Sequence, residues 1–365
     1  MPIFSAPHEL TDSDLFFDLA TLVGHSLYVK CEGLNLGGSV KLRSAAGMIA
    51  AAERSGLIND DSVLIESSSG NLGVALSVIA ANRGMRFTCV TDLLCNPSTA
   101  TLMRSLGTEL VVIQERDPKL GYLGARLDWV RQRCAADSRY VWLNQYTNEA
   151  NWRAHYDETA PAILKHFPNL DVLFVGVGTG GTAMGCVRYF RDIASTARVV
   201  AIDAAGSVSF GGAAGTRLIP GLGTSVAPPL LDPNAFDDLV LVPEVDTVRA
   251  CRSLATRGLV FGGSTGTVIS GTLRWLEDHD PDHTLTSVCI SPDMGERYLT
   301  TIYDDTWALE HFGPDALRPL PHFANRKDGT IDGTEVTQIR LPLGAGARRP
   351  HDFAGQPAHC HRPGP

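Results

Sequence analysis

No apolar run in the chain approaches membrane-spanning length, and the N-terminus shows no basic-then-apolar signal pattern, so neither a membrane span nor export is expected. Basic residues are in the minority: 31 Lys and Arg against 40 Asp and Glu give a net charge of −9, and the basic ones are dispersed. Binding a phosphate backbone needs a basic face, so nucleic acid is not an expected partner. The eight cysteines form no Cys-x-x-Cys pair. Several sit in apolar runs such as Thr88-Cys89-Val90 and Val288-Cys289-Ile290, which reads as buried, reduced thiols of a cytoplasmic protein. His359-Cys360-His361 has no fourth ligand and no framework, so no metal site is assigned to it. Charged residues make up only 19% and hydrophobic ones 44% of 365 residues, enough for a substantial core and for two domains.

Short apolar runs alternate with helical patterns from about residue 43 to residue 300. Strands are predicted at 27–30, 62–66, 86–91, 110–114, 141–143, 172–175, 199–203, 239–242 and 286–290. Helices are predicted at 43–57, 72–82, 98–106, 120–135, 148–166, 183–193, 246–257 and 266–278. Apolar strands separated by helices imply parallel sheets covered on both faces. They are too numerous for one comfortable doubly wound sheet. The expected fold class is therefore α/β in two domains, each a mostly parallel twisted sheet covered by helices. Residues 206–233 are rich in Gly, Pro and Ala without a period, which predicts a long functional loop. From about Pro319 the composition turns to Pro, Gly, Arg and His; strand-like character survives only near 336–341, and 344–365 are expected to be disordered.

Three motifs carry chemistry. Gly178-Thr179-Gly180-Gly181-Thr182 follows a predicted strand and opens a helix. Glycines admit a phosphate close to the backbone, and the helix N-terminus offers unpaired N–H groups. A tight turn without a ligand, or a dinucleotide site supported by Asp203, would leave the same trace. Ser67-Ser68-Ser69-Gly70-Asn71 likewise joins a strand to a helix and makes a nest for a carboxylate, though such residues also serve as ordinary helix caps. Lys41 follows Gly37-Gly38-Ser39-Val40 at the start of a helix, where the dipole favours a neutral amine able to form an imine and move protons. One lysine and two backbone-donor loops are what an enzyme needs to hold pyridoxal phosphate.

The order and spacing of these motifs resemble fold-type II pyridoxal-phosphate enzymes of the cysteine synthase/cystathionine β-synthase family, whose fold is that of the tryptophan synthase β chain. The resemblance runs from about Asp18 to Tyr303. It implies that Lys41 forms the Schiff base with pyridoxal 5'-phosphate. It implies that Gly178, Thr179, Gly180, Gly181 and Thr182 hold the phosphate and that Asn71 reaches the phenolic oxygen. Ser68, Ser69, Gly70, Asn71 and Leu72 would grip the substrate carboxylate, with Gln145 and Tyr146 beside the substrate. Residues 1–41 and 149–318 would form the large cofactor-binding domain, 42–148 a smaller mobile substrate-carboxylate domain, and 319–365 a C-terminal extension, expected to be disordered. A homodimer acting on small amino acids is implied as well. Ser-Ser-Gly-Asn-Leu-Gly at 68–73, Trp152, Asp203-Ala204-Ala205-Gly206-Ser207-Val208 and Ile219-Pro220-Gly221-Leu222-Gly223 are similar to one branch. Those synthases join O-phosphoserine to glutamate on the way to 2,3-diaminopropionate for siderophores and peptide antibiotics.

Two departures stand out. Met294, in Met294-Gly295-Glu296-Arg297-Tyr298, replaces the serine that meets the pyridine nitrogen in the family. Ser264, in Gly262-Gly263-Ser264-Thr265-Gly266, is the candidate replacement. A neutral hydroxyl there suits elimination over transamination. The Thr-Pro-Leu strand and loop expected between Gly24-His25 and the strand at 27–30 is also absent. The reading is β-replacement on O-phosphoserine with glutamate as nucleophile, with Arg217 and Arg104 as candidate partners for the extra carboxylates. The alternatives are a cysteine synthase using O-acetylserine or O-phosphoserine with sulfide, a non-catalytic ligand-binding regulator, and an NAD-dependent dehydrogenase.

Overall fold

A computed structural model of the chain describes residues 3–11 and 14–324. The strands are β1 (Phe16–Asp18), β2 (Leu27–Cys31), β3 (Val63–Ser67), β4 (Arg86–Asp92), β5 (Glu109–Ile113), β6 (Tyr140–Trp142), β7 (Val172–Gly176), β8 (Arg198–Ala204), β9 (Asp238–Val242) and β10 (Ser287–Ser291). They form two sheets. One has the order β5-β4-β3-β6 and is wholly parallel. The other has the order β1-β2-β10-β7-β8-β9 and is parallel except for the antiparallel β1–β2 pair. The α/β architecture with two mostly parallel, helix-covered sheets is as expected.

Burial explains the strand sequences. Every residue of β3 and of β10 is buried, which is why they read as apolar runs rather than alternating ones. In β7, Val172 and Phe174 face a core with Ile202, Val268 and Trp275, while Leu173 and Val175 face another with Phe190, Val199 and Ile290. The first face is covered by the helix Gly263–His279 and the second by the helix Gly181–Asp192. The smaller sheet has its own core, where Leu64 and Phe87 meet Met48 and Ile49 of the helix Lys41–Arg54 and Leu76 of the helix Asn71–Arg83.

Three features differ from the sequence expectation. β1 was not foreseen; it is three residues long and pairs directly with β2, the intervening chain closing through the one-turn helix Ala20–Val23 and a left-handed Gly24 (φ 89°). The single helix expected at 148–166 is two, Glu149–Ala154 and Ala160–His166, joined by a π-helical turn, His155–Thr159. Pro161 has no N–H to continue the α ladder, and the close passage of Gly185 against Trp152 and His155 leaves no room for a straight packing. Ordered packing also continues past Pro319, since Leu320 and Phe323 are buried in the core of the larger sheet. The strand-like stretch at 336–341, the segment 344–365 and His359-Cys360-His361 lie outside the described residues. Among the described residues no helix is long and apolar enough to cross a membrane, and no three His, Cys, Asp or Glu side chains are grouped to hold a metal ion.

Candidate active site

Chain segments leaving the carboxyl ends of β3, β4, β6, β7, β8 and β10 converge on one cavity of about 760 Å³. This is where parallel α/β sheets place ligands, because helix N-termini gather there. Lys41, Ser68, Ser69, Gly70, Asn71, Leu72, Gln145, Tyr146, Gly178, Thr179, Gly180, Gly181, Thr182 and Ser264 all line it.

Lys41 is the first residue of its helix, reached through a left-handed turn at Gly38 (φ 65°) and fixed by the Val40 N–H donating to Pro292 O at 2.7 Å. Among the described residues its ammonium has no hydrogen-bond or ion-pair partner, and burial pushes it down from 10.5 to about 8. An amine with that pKa has a sizeable neutral fraction near neutral pH, as a nucleophile requires.

The glycine loop is a built cradle. Gly180 is left-handed (φ 90°) and precedes the helix that opens at Gly181. A Cβ on Gly178 would stand 2.8 Å from Gly221 O, and one on Gly181 would collide with the Asn151 side chain. Asn151 Nδ2 donates to Gln145 O (2.7 Å) and to Thr179 Oγ1 (3.3 Å). Beneath the loop, His155 is fully buried; its Nε2 faces Ser44 Oγ at 3.0 Å and Thr182 Oγ1 at 3.3 Å. Burial holds this imidazole neutral, at about 3. Glu32 lies nearby in a buried network with Lys30 (2.8 Å) and Arg43 (3.3 Å). Burial alone would raise the Glu32 carboxyl, but Arg43 and Lys30 outweigh it and hold it at about 2.

The nest after β3 is organised by its own side chains. Ser68 Oγ accepts from the Gly70 N–H (3.3 Å) and the Gly73 N–H (3.0 Å), so it acts first as a cap for the helix. Ser69 Oγ donates to Asp92 at 2.9 Å and accepts from Arg126. Asn71 accepts on Oδ1 from Arg297 Nη1 at 2.5 Å. Gln145 Nε2 donates to Ser67 O at 3.1 Å, and burial pushes the Tyr146 phenol up to about 12.

Met294 does not line the cavity; it packs against the core of the larger sheet. Ser264 lines it, is 2% exposed, and stands so close to Gly221 that any side chain there would strike its Oγ. Gly221 itself is at φ 115°, which only glycine adopts readily. Of the two arginines named from sequence, Arg217 lines the cavity and Arg104 does not, lying exposed on the helix Pro97–Ser105. Sequence reasoning missed Arg126, and it gave Arg297 no role although it lies in the matched Met294–Tyr298 stretch. It also missed Asp293, whose buried carboxylate accepts from Tyr298 Oη at 2.6 Å and the Thr265 N–H at 3.1 Å. Arg126 sits in a helix of mixed, weakly periodic composition and has no motif around it, so no signal pointed to it.

A glycine cradle at a helix N-terminus, an unpartnered lysine of depressed pKa and a buried serine hydroxyl facing one cavity fit a pyridine aldehyde phosphate. The model of the family described as pyridoxal-phosphate dependent enzyme matches residues 16–293. A protein named N-(2-amino-2-carboxyethyl)-L-glutamate synthase from Cupriavidus metallidurans is 38% identical over 301 residues, 82% of this chain and 87% of its own. Among solved structures, a hydrogen sulfide-producing enzyme from Fusobacterium nucleatum superposes with a TM-score of 0.76 at 31% identity, covering 81% of this chain and 100% of its own. An O-ureido-L-serine synthase does so with a TM-score of 0.76 at 31% identity, covering 83% and 96%.

Proposed function

Because the chain belongs to the pyridoxal-phosphate dependent enzyme family and is a β-substituted alanine synthase, we propose that it replaces the phosphate of O-phospho-L-serine with the amine of L-glutamate. The product would be N-(2-amino-2-carboxyethyl)-L-glutamate, from which a separate oxidase could release 2,3-diaminopropionate for siderophore or antibiotic assembly. When bound, pyridoxal phosphate supplies the electron sink that lets the α-proton and then the β-substituent leave.

The chain's own residues have distinct tasks in this reading. Gly178 to Thr182 hold the cofactor phosphate at the helix N-terminus, and Ser264 offers a neutral hydroxyl to the pyridine nitrogen. Lys41 anchors the cofactor and, once displaced, carries the proton at its ε-nitrogen; a pKa near 8 suits both states at neutral pH. Ser69, Gly70 and Asn71 hold the α-carboxylate. Arg126, hydrogen-bonded to Ser69, places a cation beside the leaving group. Movement of residues 42–148 against the larger sheet would exclude water after the substrate binds.

The observation that carries the choice of substrates is the cationic lining of a single cavity. Phosphoserine and glutamate bring three carboxylates and a phosphate between them; Arg126, Arg217 and Arg297 all line the cavity, the first and last bonded to Ser69 and Asn71 of the nest. Sulfide needs none of the additional cations. Purified holoenzyme should release phosphate and form the adduct with O-phosphoserine plus glutamate. Turnover with sulfide but not with glutamate would replace this reading with that of a cysteine synthase.

A further inference from the structure

Resting on that reading, we propose that Arg217 selects the nucleophile by pairing with the side-chain carboxylate of glutamate. Arg217 belongs to the long loop after β8, on the wall contributed by the larger sheet, whereas the Ser68–Asn71 nest belongs to the smaller one.

Its guanidinium is held but not neutralised. Nη1 donates to Gly206 O and Nη2 to Ser225 Oγ at 3.1 Å, both uncharged acceptors. Among the described residues no carboxylate pairs with it. Asp203 and Glu244 feel its charge at longer range, and neither forms an ion pair with it. Asp203 accepts from the Ala204 N–H at 2.8 Å, and Glu244 accepts from the Leu218 and Ile219 N–H groups at 2.9 and 2.7 Å. The Glu244 bonds pin the loop immediately after Arg217 and so fix where the guanidinium stands.

That place is close to the chemistry. A Cβ on Gly223 would lie 2.9 Å from Arg217 Nε, so the guanidinium rests on the Gly223 backbone. The Gly223 N–H donates to Val177 O at 3.1 Å, next to the start of the glycine cradle, and Gly221 abuts Ser264. Arg217 is thus one backbone layer from the groups assigned to the cofactor. The other cavity arginines serve the side of the nest: Arg126 Nε is 3.3 Å from Asp92 and the same arginine bonds Ser69, and Arg297 bonds Asn71 and Gly37 O. A fixed guanidinium without a counter-ion is matched to a carboxylate, which it binds by two parallel hydrogen bonds, and not to the isosteric amide.

The test is nucleophile discrimination in the holoenzyme, with O-phosphoserine saturating and glutamate, glutamine and sulfide compared by kcat/KM. Arg217→Gln removes the charge while keeping a donor for Gly206, and Arg217→Lys keeps the charge without the fork. The glutamate-to-glutamine ratio should fall about tenfold or more in Arg217→Gln, mainly through KM for glutamate, and recover in part in Arg217→Lys. An unchanged ratio, or an equal loss with all three nucleophiles, would overturn the assignment while leaving the reaction intact. Failure of the wild-type enzyme to use glutamate would remove the reaction itself, and this assignment with it.

Discussion

His155 Nε2 lies 3.3 Å from Thr182 Oγ1, and the same nitrogen lies 3.0 Å from Ser44 Oγ. One buried imidazole thereby ties the helix that begins at Lys41 to the helix that begins in the glycine cradle. The π-helical turn puts it there, and its Nδ1 bonds Thr159 Oγ1 at 3.0 Å within that turn. His155→Leu would leave the Ser44 and Thr182 hydroxyls without this partner. The cost of such a loss is about 1–3 kcal/mol, part of it expressed as misplacement of Thr182. Pyridoxal phosphate affinity, measured by fluorescence titration of apoprotein, should fall roughly tenfold. Unchanged affinity in a folded variant would show that Thr182 is held by the helix alone.

The same residue sets part of the acid sensitivity. The folded protein holds His155 at about 3, below the ordinary 6.5, so the unfolded chain takes a proton that the folded one refuses. Stability from this group is full above pH 6.5 and is lost as pH falls toward 3. Glu32 acts in the same direction over a lower window, from 4.5 down to about 2. Asp203 and Glu66, which burial raises to about 6 and about 7, have the opposite sign and lose stability as pH rises through those values. Subtracting a non-titrating variant isolates the histidine. The stability advantage of wild type over His155→Leu in urea should shrink by roughly 2 kcal/mol from pH 7 to pH 5. A constant difference would mean that His155 titrates normally.

How far the sequence could be read depends on what each residue answers to. β3, β7 and β10 were legible because burial on both faces leaves an unbroken apolar run, and the cradle and nest were legible because glycine and serine at strand-to-helix joins have few other uses. β1 was not, since three half-exposed residues carry no periodic signal. The π-helical turn was not either, because Gly185, which acts on it together with the neighbouring Pro161, comes from a different helix. Ser264 was reachable only by asking what replaces Met294. Arg126 has a helical neighbourhood like any surface arginine, and what distinguishes it is tertiary: the turn of the helix Gly121–Ala136 that brings it to Ser69 and Asp92.

Ser264 and Gly221 form a second pair whose replacement is informative. Gly221→Ala must place a Cβ against Ser264 Oγ at a φ of 115°, a conformation that costs a non-glycine residue about 1–3 kcal/mol. The strand of loop from Ile219 to Gly223 would have to shift, and with it the wall over the cradle. Ser264→Ala leaves the backbone undisturbed and removes only the hydroxyl. It should shift the absorbance maximum of the bound cofactor or weaken its binding, whereas Gly221→Ala should do both and lower the melting temperature. Identical spectra for Ser264→Ala and wild type would exclude the hydroxyl as the partner of the pyridine nitrogen.

Lys41 links the site to stability in a way that separates its covalent role from its burial. Borohydride reduction of native holoenzyme followed by digestion should leave the pyridoxyl group on the peptide containing Lys41, and Lys41→Ala should abolish both the label and turnover. In the apoprotein the lysine is a cost. Its folded pKa of about 8 lies below the 10.5 of the unfolded chain, so the unfolded state binds the extra proton between those values. Stability from this group therefore rises as pH climbs from 8 to 10.5 and is lowest, and constant, below 8. Lys41→Met, which fills the same space without a charge, should make the apoprotein more stable than wild type at pH 7, by about 2 kcal/mol once partial solvent access is allowed for. That gain should fade between pH 8 and 10.5. Rapid reaction of wild-type apoprotein with pyridoxal phosphate should follow the opposite limb, accelerating as the amine loses its proton near pH 8. A stability gain at pH 7 together with loss of the label identifies a lysine held in the cavity at a cost to the fold for the sake of the bond it makes. Loss of the label with no gain would place Lys41 in a wetter site than its surroundings indicate.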